Sequence, residues 1–158
     1  MKLEMATFGG GCFWGVEARF RSVEGVVETA VGYEGGQVDE PTYEQVCTDR
    51  TGHAEVVQVE FDAEGVTYEQ LLGVFFDIHD PTQADRQGPD VGRQYRSVVF
   101  THTPEQAKKA GDFVAKLAAS KRFNRPIATK VEPASAFWRA EEYHQRYLEK
   151  HGSDACSL

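Results

Sequence analysis

The sequence predicts an α+β fold in two layers, a sheet containing antiparallel strands with helices on one face, built on a split βαβ (ferredoxin-like) core. Hydrophobic periodicity gives the first six elements the order strand, helix, strand, strand, helix, strand. The chain has 158 residues, 41% of them hydrophobic, which suffices for one core. Neither an internal repeat nor a low-complexity segment divides it. Residues 1–151 therefore read as a single domain and 152–158 as a flexible tail without apolar periodicity.

The first strand is expected over Lys2–Phe8, which is extended in pattern and half apolar. Gly9-Gly10-Gly11 then turns the chain into a helix whose inner face carries Phe13, Val16 and Phe20. Gly25 breaks that pattern, and Val26–Tyr33 reads as a strand with Val27, Thr29, Val31 and Tyr33 on one face. The stretch from Gly35-Gly36 to Thr51-Gly52 is too rich in turn residues for one element and is expected to be a long loop closing at His53. Ala54–Asp62 is the next strand. Thr67 and Gln70 make a capping-box signature for a helix whose broad apolar face, Leu71, Leu72, Phe75, Phe76 and Ile78, belongs against the sheet. His79–Gln94, with Pro81, Gly88, Pro89 and Gly92, is longer than a connector and is expected to line a site. A strand over Tyr95–His102 leads to Thr103, Pro104 and Gln106, which supply cap, first-turn proline and box partner for a helix running to about Lys121. Its inner face is expected to be Ala107, Ala110, Val114, Leu117 and Ala118. A short extended piece near Ala128–Glu132 and a last, peripheral helix near Ala140–Lys150 precede the tail.

The formal net charge is -8, with acidic and basic residues interleaved, which argues against a nucleic-acid groove. No stretch has the roughly 18 apolar residues of a membrane span, and no basic-then-apolar leader opens the chain. A cytoplasmic monomer that binds neither nucleic acid nor membrane is expected. Cys12, Cys47 and Cys156 form no C-x-x-C pair, and His53, His79, His102, His144 and His151 are scattered, so neither a disulfide scaffold nor a zinc site fits. No metal and no cofactor is expected.

Cys12 stands at the junction of the glycine turn and the first helix. There the unpaired N–H groups and the helix dipole favour negative charge, which lowers a thiol's pKa and suits a nucleophile. A buried structural cysteine fits the same local pattern. Glu55 falls on the apolar face of its strand with Val57, Val59 and Phe61. Burial without a cation would keep its proton for general-acid work, whereas a side chain reaching solvent, or pairing with His53 or an arginine, would not. Tyr33, Tyr43 and Tyr95 flank the long loops, where each is a phenolic donor or a rim residue. Phe13 and Trp14 beside Cys12 either wall an apolar pocket or simply pack. Asp90 sits at a loop tip, a usual turn position, and His79-Asp80 reads as a helix C-terminal cap. Tyr143, His144 and Tyr147 share a face of the last helix, where the histidine is expected to be packed rather than a ligand. Cys47 reads as structural, with a relay thiol as its rival role. Cys156 is either incidental or a thiol that a mobile tail carries to a distant site.

Together, Gly11-Cys12-Phe13-Trp14-Gly15, Gly32-Tyr33-x-Gly35-Gly36, Thr51-Gly52-His53-Ala54-Glu55, His79-Asp80-Pro81-Thr82-Gln83 and Gly88-Pro89-Asp90-Val91-Gly92-x-Gln94-Tyr95-Arg96-Ser97 resemble the peptide methionine sulfoxide reductases of the A type, in one order from Phe8 to about Tyr147. The resemblance implies that Cys12 attacks the sulfur of methionine sulfoxide, of the S epimer, in peptides and proteins. Glu55 would give a proton to the departing oxygen, Tyr43 and Tyr95 would hydrogen-bond that oxygen, Phe13 and Trp14 would hold the substrate methyl, and Asp90 would help position the methionine backbone. The products would be methionine and a Cys12 sulfenic acid, which a second thiol condenses to a disulfide. That thiol is expected to be Cys156, and the reductant of the disulfide thioredoxin. Many relatives carry two tail cysteines where this chain has one, which implies a single resolving step. The rival readings are a module that grips a methionine-like side chain without turnover, and a thiol peroxidase or redox sensor using the same cysteine pair.

Overall fold

The computed structural model describes residues 1–152. In chain order the elements are β1 (Leu3–Gly9), α1 (Phe13–Arg21), β2 (Val26–Glu34), α2 (Tyr43–Cys47), β3 (Ala54–Asp62), α3 (Tyr68–Asp77), β4 (Arg86–Gln87), β5 (Asp90–Val91), a 3-10 turn (Arg93–Tyr95), β6 (Val98–Thr101), α4 (Pro104–Ala119), β7 (Lys130–Pro133), β8 (Trp138–Arg139), a second 3-10 turn (Glu142–His144) and α5 (Tyr147–His151). Six strands form one sheet in the order β7-β6-β1-β3-β2-β8, and β4 pairs with β5 in a separate hairpin. Strand β3 lies between β1 and β2 and runs antiparallel to both, so β1 and β2 are parallel with a slot filled from the other direction. Among the described residues, only the β6/β7 pair is a parallel neighbour pair.

One face of the sheet is a continuous apolar layer because alternate residues of β1, β2 and β3 point the same way. Phe8, Val31, Val57 and Val59 meet Phe20 of α1 and Leu71, Leu72 and Phe75 of α3, all fully buried. Phe8 stacks on Phe20 with ring centroids 4.9 Å apart. The Thr67 capping box is present in full. Thr103 caps α4, but the Gln106 side chain bonds the backbone of His102 and Met5 instead of closing a box.

The other face adds to the expected two layers. Ala54, Val56, Val98 and Phe100 form a second cluster beneath Ala134 and Phe137, so the centre of the sheet is buried on both sides. Among the other differences, α2 lies inside the expected long loop, and its Thr42/Gln45 capping box was a readable signal. Tyr95 belongs to a 3-10 turn rather than to the strand, which starts at Val98. A register shift between Val26 and Glu28 turns Val27 outward, 46% exposed. The face of α4 that packs inward is Gln106, Ala110, Phe113, Val114 and Leu117, with Ala107 and Ala118 exposed. The expected last helix is broken at Arg146, whose φ of 53° no α-helix accommodates, leaving a 3-10 turn and a short α5.

Glu34, at the end of β2, is fully buried against the second cluster's side of the sheet and accepts one hydrogen bond, from Ser135 N–H at 3.1 Å. Burial pushes its carboxyl up to about 7 from an ordinary 4.5, against the smaller opposing effect of the Ser135 bond. The folded-state value lies above the unfolded one, so this group's contribution to stability is full below the unfolded value and is lost as pH rises through about 7. Glu34→Gln, which mimics the protonated acid, is expected to stabilise the protein at pH 8 relative to pH 5 by up to about 3 kcal/mol more than wild type. Urea unfolding of both proteins at the two pH values measures it, and equal pH dependence would contradict the assignment.

Candidate active site

Gly9, Gly10 and Gly11 carry the chain from β1 into α1 under tight walls. A Cβ on Gly10 would lie 2.9 Å from the Phe75 ring, and Gly11 has φ of 93° with Gln87 where its Cβ would stand. Only glycine takes that backbone and that approach without strain. The turn delivers Cys12 to the N-cap of α1 in extended conformation, its thiol making no capping bond and its surface half-buried. The capping role falls instead to a carboxylate from the sheet. Glu55, opposite Tyr33 in the β2/β3 register and 1% exposed, accepts the Phe13 N–H at 3.2 Å on Oε1. The alternation of β3 thus brings the carboxyl inside, and the reading in which Glu55 reaches solvent does not hold. His53 is committed elsewhere: Nδ1 accepts Gly36 N–H at 2.9 Å and Nε2 donates to Val38 C=O at 2.7 Å.

The two tyrosines arrive on separate loops that are tied together. Arg93 donates to Asp49 Oδ1 from its backbone N–H and Nε, and to the Asp49 carbonyl from its guanidinium at 2.7 Å. This fastens the Tyr95 turn to the end of α2, which begins with Tyr43. Both phenols are pushed above the ordinary value, first by burial and next by the Glu55 carboxylate, with Cys47 contributing to each. They stay protonated donors at neutral pH. Tyr95 also feels Asp90 and Cys12, so the structure brings Cys12, Glu55, Tyr43, Tyr95 and Asp90 into one electrostatic neighbourhood. Asp90 opens β5 in a hairpin rather than standing at the loop tip. Gln87, paired with Asp90, holds the hairpin down by bonding Asp80 N–H at 2.8 Å and Asp80 C=O at 2.9 Å. The C-cap of α3 is Ile78 rather than the expected His79-Asp80 pair; His79 Nδ1 lies 2.6 Å from the Phe75 carbonyl of the last turn and Nε2 joins Ser97 at 2.7 Å, while Asp80 bonds Thr82.

Aromatic rings wall the Cys12 side. Phe13 is buried, with Tyr43 and Tyr33 stacked or tilted against it at 6.4 and 5.8 Å, and Trp14 stacks on Tyr147 at 3.8 Å. Two contributors were not legible as site residues. Glu141 accepts Tyr33 O–H and Tyr43 N–H, each at 2.9 Å, and His144 touches Phe13, Trp14 and Tyr43. Burial would raise the Glu141 carboxyl, but the bonds from Tyr43 and Tyr33 outweigh it and hold the carboxyl low. Nothing local marks Glu141, since its partners come from residues about a hundred positions away. Cys47 is exposed at the last position of α2, its thiol pushed up by burial despite a bond from Tyr43. Cys156 lies outside the described residues. Among the described residues no three or more His, Cys, Asp or Glu gather as a metal site, and no helix is long and apolar enough to cross a membrane.

A half-buried thiol at a helix start, with a buried carboxyl and two phenols in the same electrostatic neighbourhood, has the composition of a thiol oxidoreductase site. The family model of peptide methionine sulfoxide reductase matches residues 4–158. The peptide methionine sulfoxide reductase MsrA of Acidobacterium capsulatum is 62% identical over 153 residues, 97% of this chain and 98% of that protein. The crystal structure of Mxr1 from Saccharomyces cerevisiae in reduced form superposes with a TM-score of 0.90 at 37% identity, covering 96% of this chain and 87% of that one. Mxr1 in complex with Trx2 superposes at 0.66 with 27% identity, over 92% and 85% of the two chains. The chain belongs to the peptide methionine sulfoxide reductase family and is an enzyme that reduces methionine sulfoxide.

Proposed function

We propose that the protein reduces the S epimer of methionine sulfoxide in peptides and proteins with Cys12 as nucleophile and Glu55 as general acid. The observation that carries the assignment is the Phe13 N–H to Glu55 Oε1 bond, which ties the helix start bearing Cys12 to the buried Glu55 carboxyl. The Cys12 thiolate attacks the sulfoxide sulfur while Glu55 protonates its oxygen, a poor leaving group until protonated. The S–O bond then breaks, hydroxide bonds the Cys12 sulfur, and the transient bond between the two sulfurs breaks with its electron pair left on the methionine sulfur. Tyr43 and Tyr95, kept protonated, donate to that oxygen, and Phe13 and Trp14 enclose the methyl group. Asp90, on the hairpin beside Tyr95, holds the methionine backbone. One oxygen passes from substrate to enzyme: methionine leaves and Cys12 becomes a sulfenic acid, the thiol sulfur oxidised by two electrons and the sulfoxide reduced by two.

The second half uses Cys156. Its thiol displaces hydroxide from the sulfenic sulfur, giving water and a Cys12–Cys156 disulfide. Tyr147, the first residue of α5, stacks on Trp14, so the chain enters α5 beside the site. The five-residue helix spans roughly 7 Å, and the four steps from Gly152 to Cys156 reach up to ~14 Å, which is compatible with that pairing. The complex of Mxr1 with Trx2 supports thioredoxin as the reductant that reopens the disulfide. Residues 1–151 are then the catalytic unit and 152–158 the carrier of the resolving thiol. All the proposed catalytic side chains come from one chain, consistent with a monomer, and a thiol pair cycled by thioredoxin suits the reducing cytoplasm.

Fully reduced protein mixed with a racemic methionine sulfoxide peptide, without external reductant, is expected to form methionine in step with the loss of two thiols and to leave the R epimer. Cys156→Ser is expected to give one methionine and a trapped sulfenic acid. Methionine formation with two thiols lost in Cys156→Ser would overturn the pairing, and binding without methionine would leave only a module that holds the side chain.

A further inference from the structure

His144 is a fully buried titratable side chain that the chemistry above does not use. Its ring centroid lies 5.2 Å from that of Phe13, 4.4 Å from Tyr43 and 5.6 Å from Trp14, and its Nδ1 lies 2.9 Å from Trp14 Nε1. An indole N–H only donates, so Nδ1 is the acceptor and carries no proton. The ring is neutral, with its proton on Nε2. Burial favours the same state by pushing the ring below its ordinary value, against Glu141.

We propose that His144 is a specificity-determining positioning residue, fixing the Trp14 indole by accepting its N–H and so setting the size of the methyl pocket. The inference rests on the reading of Phe13 and Trp14 as the walls of that pocket. Trp14 is otherwise held by its stack on Tyr147, 3.8 Å between centroids and 8° between planes. Stacking fixes the tilt of a ring but tolerates sliding and rotation within its plane. A hydrogen bond is directional and removes that freedom, which gives the indole one position.

The acceptor is itself held in advance. Gln145 clamps the segment to β2 by accepting Val31 N–H and donating to Val31 C=O, each at 2.9 Å, and donates to Ala140 C=O at 2.9 Å. Arg146 N–H donates to Glu17 Oε1 of α1 at 2.7 Å. With Glu141 on the Tyr43 backbone, residues 141–146 form a plate behind the site that aligns the phenol on one side and the indole on the other. A pocket with rigid walls rejects one extra methylene by roughly 10–200-fold, and a loose one does not.

The test measures kcat and KM for peptides containing methionine sulfoxide or ethionine sulfoxide, whose S-alkyl group is one methylene longer. His144→Leu, which leaves the indole N–H without an acceptor, is expected to raise KM for methionine sulfoxide about tenfold and to cut the methyl-over-ethyl preference about tenfold, with kcat within about threefold. His144→Asn, whose side-chain oxygen replaces Nδ1 as acceptor, is expected to keep KM and preference within about threefold of wild type. Trp14→Phe removes the donor instead, is expected to match His144→Leu, and carries the test if His144→Leu does not fold. Loss of activity in both His144 variants with KM and preference unchanged, or no rescue by asparagine, would overturn the proposal. If Trp14→Ala leaves KM and preference unchanged, the methyl-pocket reading itself falls. If Trp14→Ala changes them while His144→Leu and Trp14→Phe do not, only the role of His144 falls.

Discussion

Cys12→Ser is expected to abolish methionine formation, with turnover falling by about 10⁴-fold or more while the sulfoxide peptide still binds. A serine hydroxyl keeps the shape of the helix start, because the Cys12 thiol makes no capping bond that folding needs. Stopped-flow assay of one turnover, beside equilibrium binding of the same peptide, separates the two effects. Residual turnover within a hundredfold of wild type would mean that another thiol starts the reaction. Cys47 is a poor candidate, since partial desolvation and the nearby Glu55 and Glu141 push its thiol up and away from the reactive thiolate, although the residue is exposed.

Glu55→Gln is expected to lower kcat by about 10²–10⁴-fold with little change in thermal stability. The amide oxygen can accept the Phe13 N–H in place of Oε1, so the helix start stays capped. An amide has no acidic proton to give to the departing oxygen. In single-turnover experiments, sulfenic acid formation and methionine release should slow together, because proton transfer and S–O cleavage belong to one step. A variant within tenfold of wild type would assign the proton to a tyrosine. Tyr43 and Tyr95 are weak acids for that task because burial pushes their phenols up. Comparing Glu55→Gln with Tyr95→Phe therefore divides proton donation from hydrogen bonding to the oxygen.

The chemical residues were legible because each sits on a strong local pattern. Three glycines before Cys12 announce a turn with no room for side chains, and the structure puts Phe75 and Gln87 where their Cβ atoms would be. The alternation Glu55, Val57, Val59, Phe61 announces a carboxyl turned inward, and Glu55 is buried. The loops were read less well. Helix α2 was absorbed into a turn-rich stretch although Thr42 and Gln45 cap it, and the β4/β5 hairpin has two-residue strands too short for any periodicity to register. Periodicity carries the expected last helix through Arg146, where the bond from its N–H to Glu17 holds a positive φ.

The α+β class, the order of the strands and helices on the main face, the helix start at Cys12 and the inward face of Glu55 are all readable from residue order, because each follows from period, glycine placement or capping within a few residues. Tertiary structure decided what surrounds those groups. Arg93 on Asp49 sets Tyr95 beside Tyr43, Glu141 joins Tyr33 to the Tyr43 backbone, and His144 meets Trp14, across separations of 44, 98 and 130 residues. Such bonds leave no local periodicity, since their partners are chosen by the sheet order and by the path of the chain across β2. The second face was decided in the same way: Phe137 and Ala134 cover Val56 and Phe100 because β8 returns to pair with β2, a closure that no window of a few residues contains.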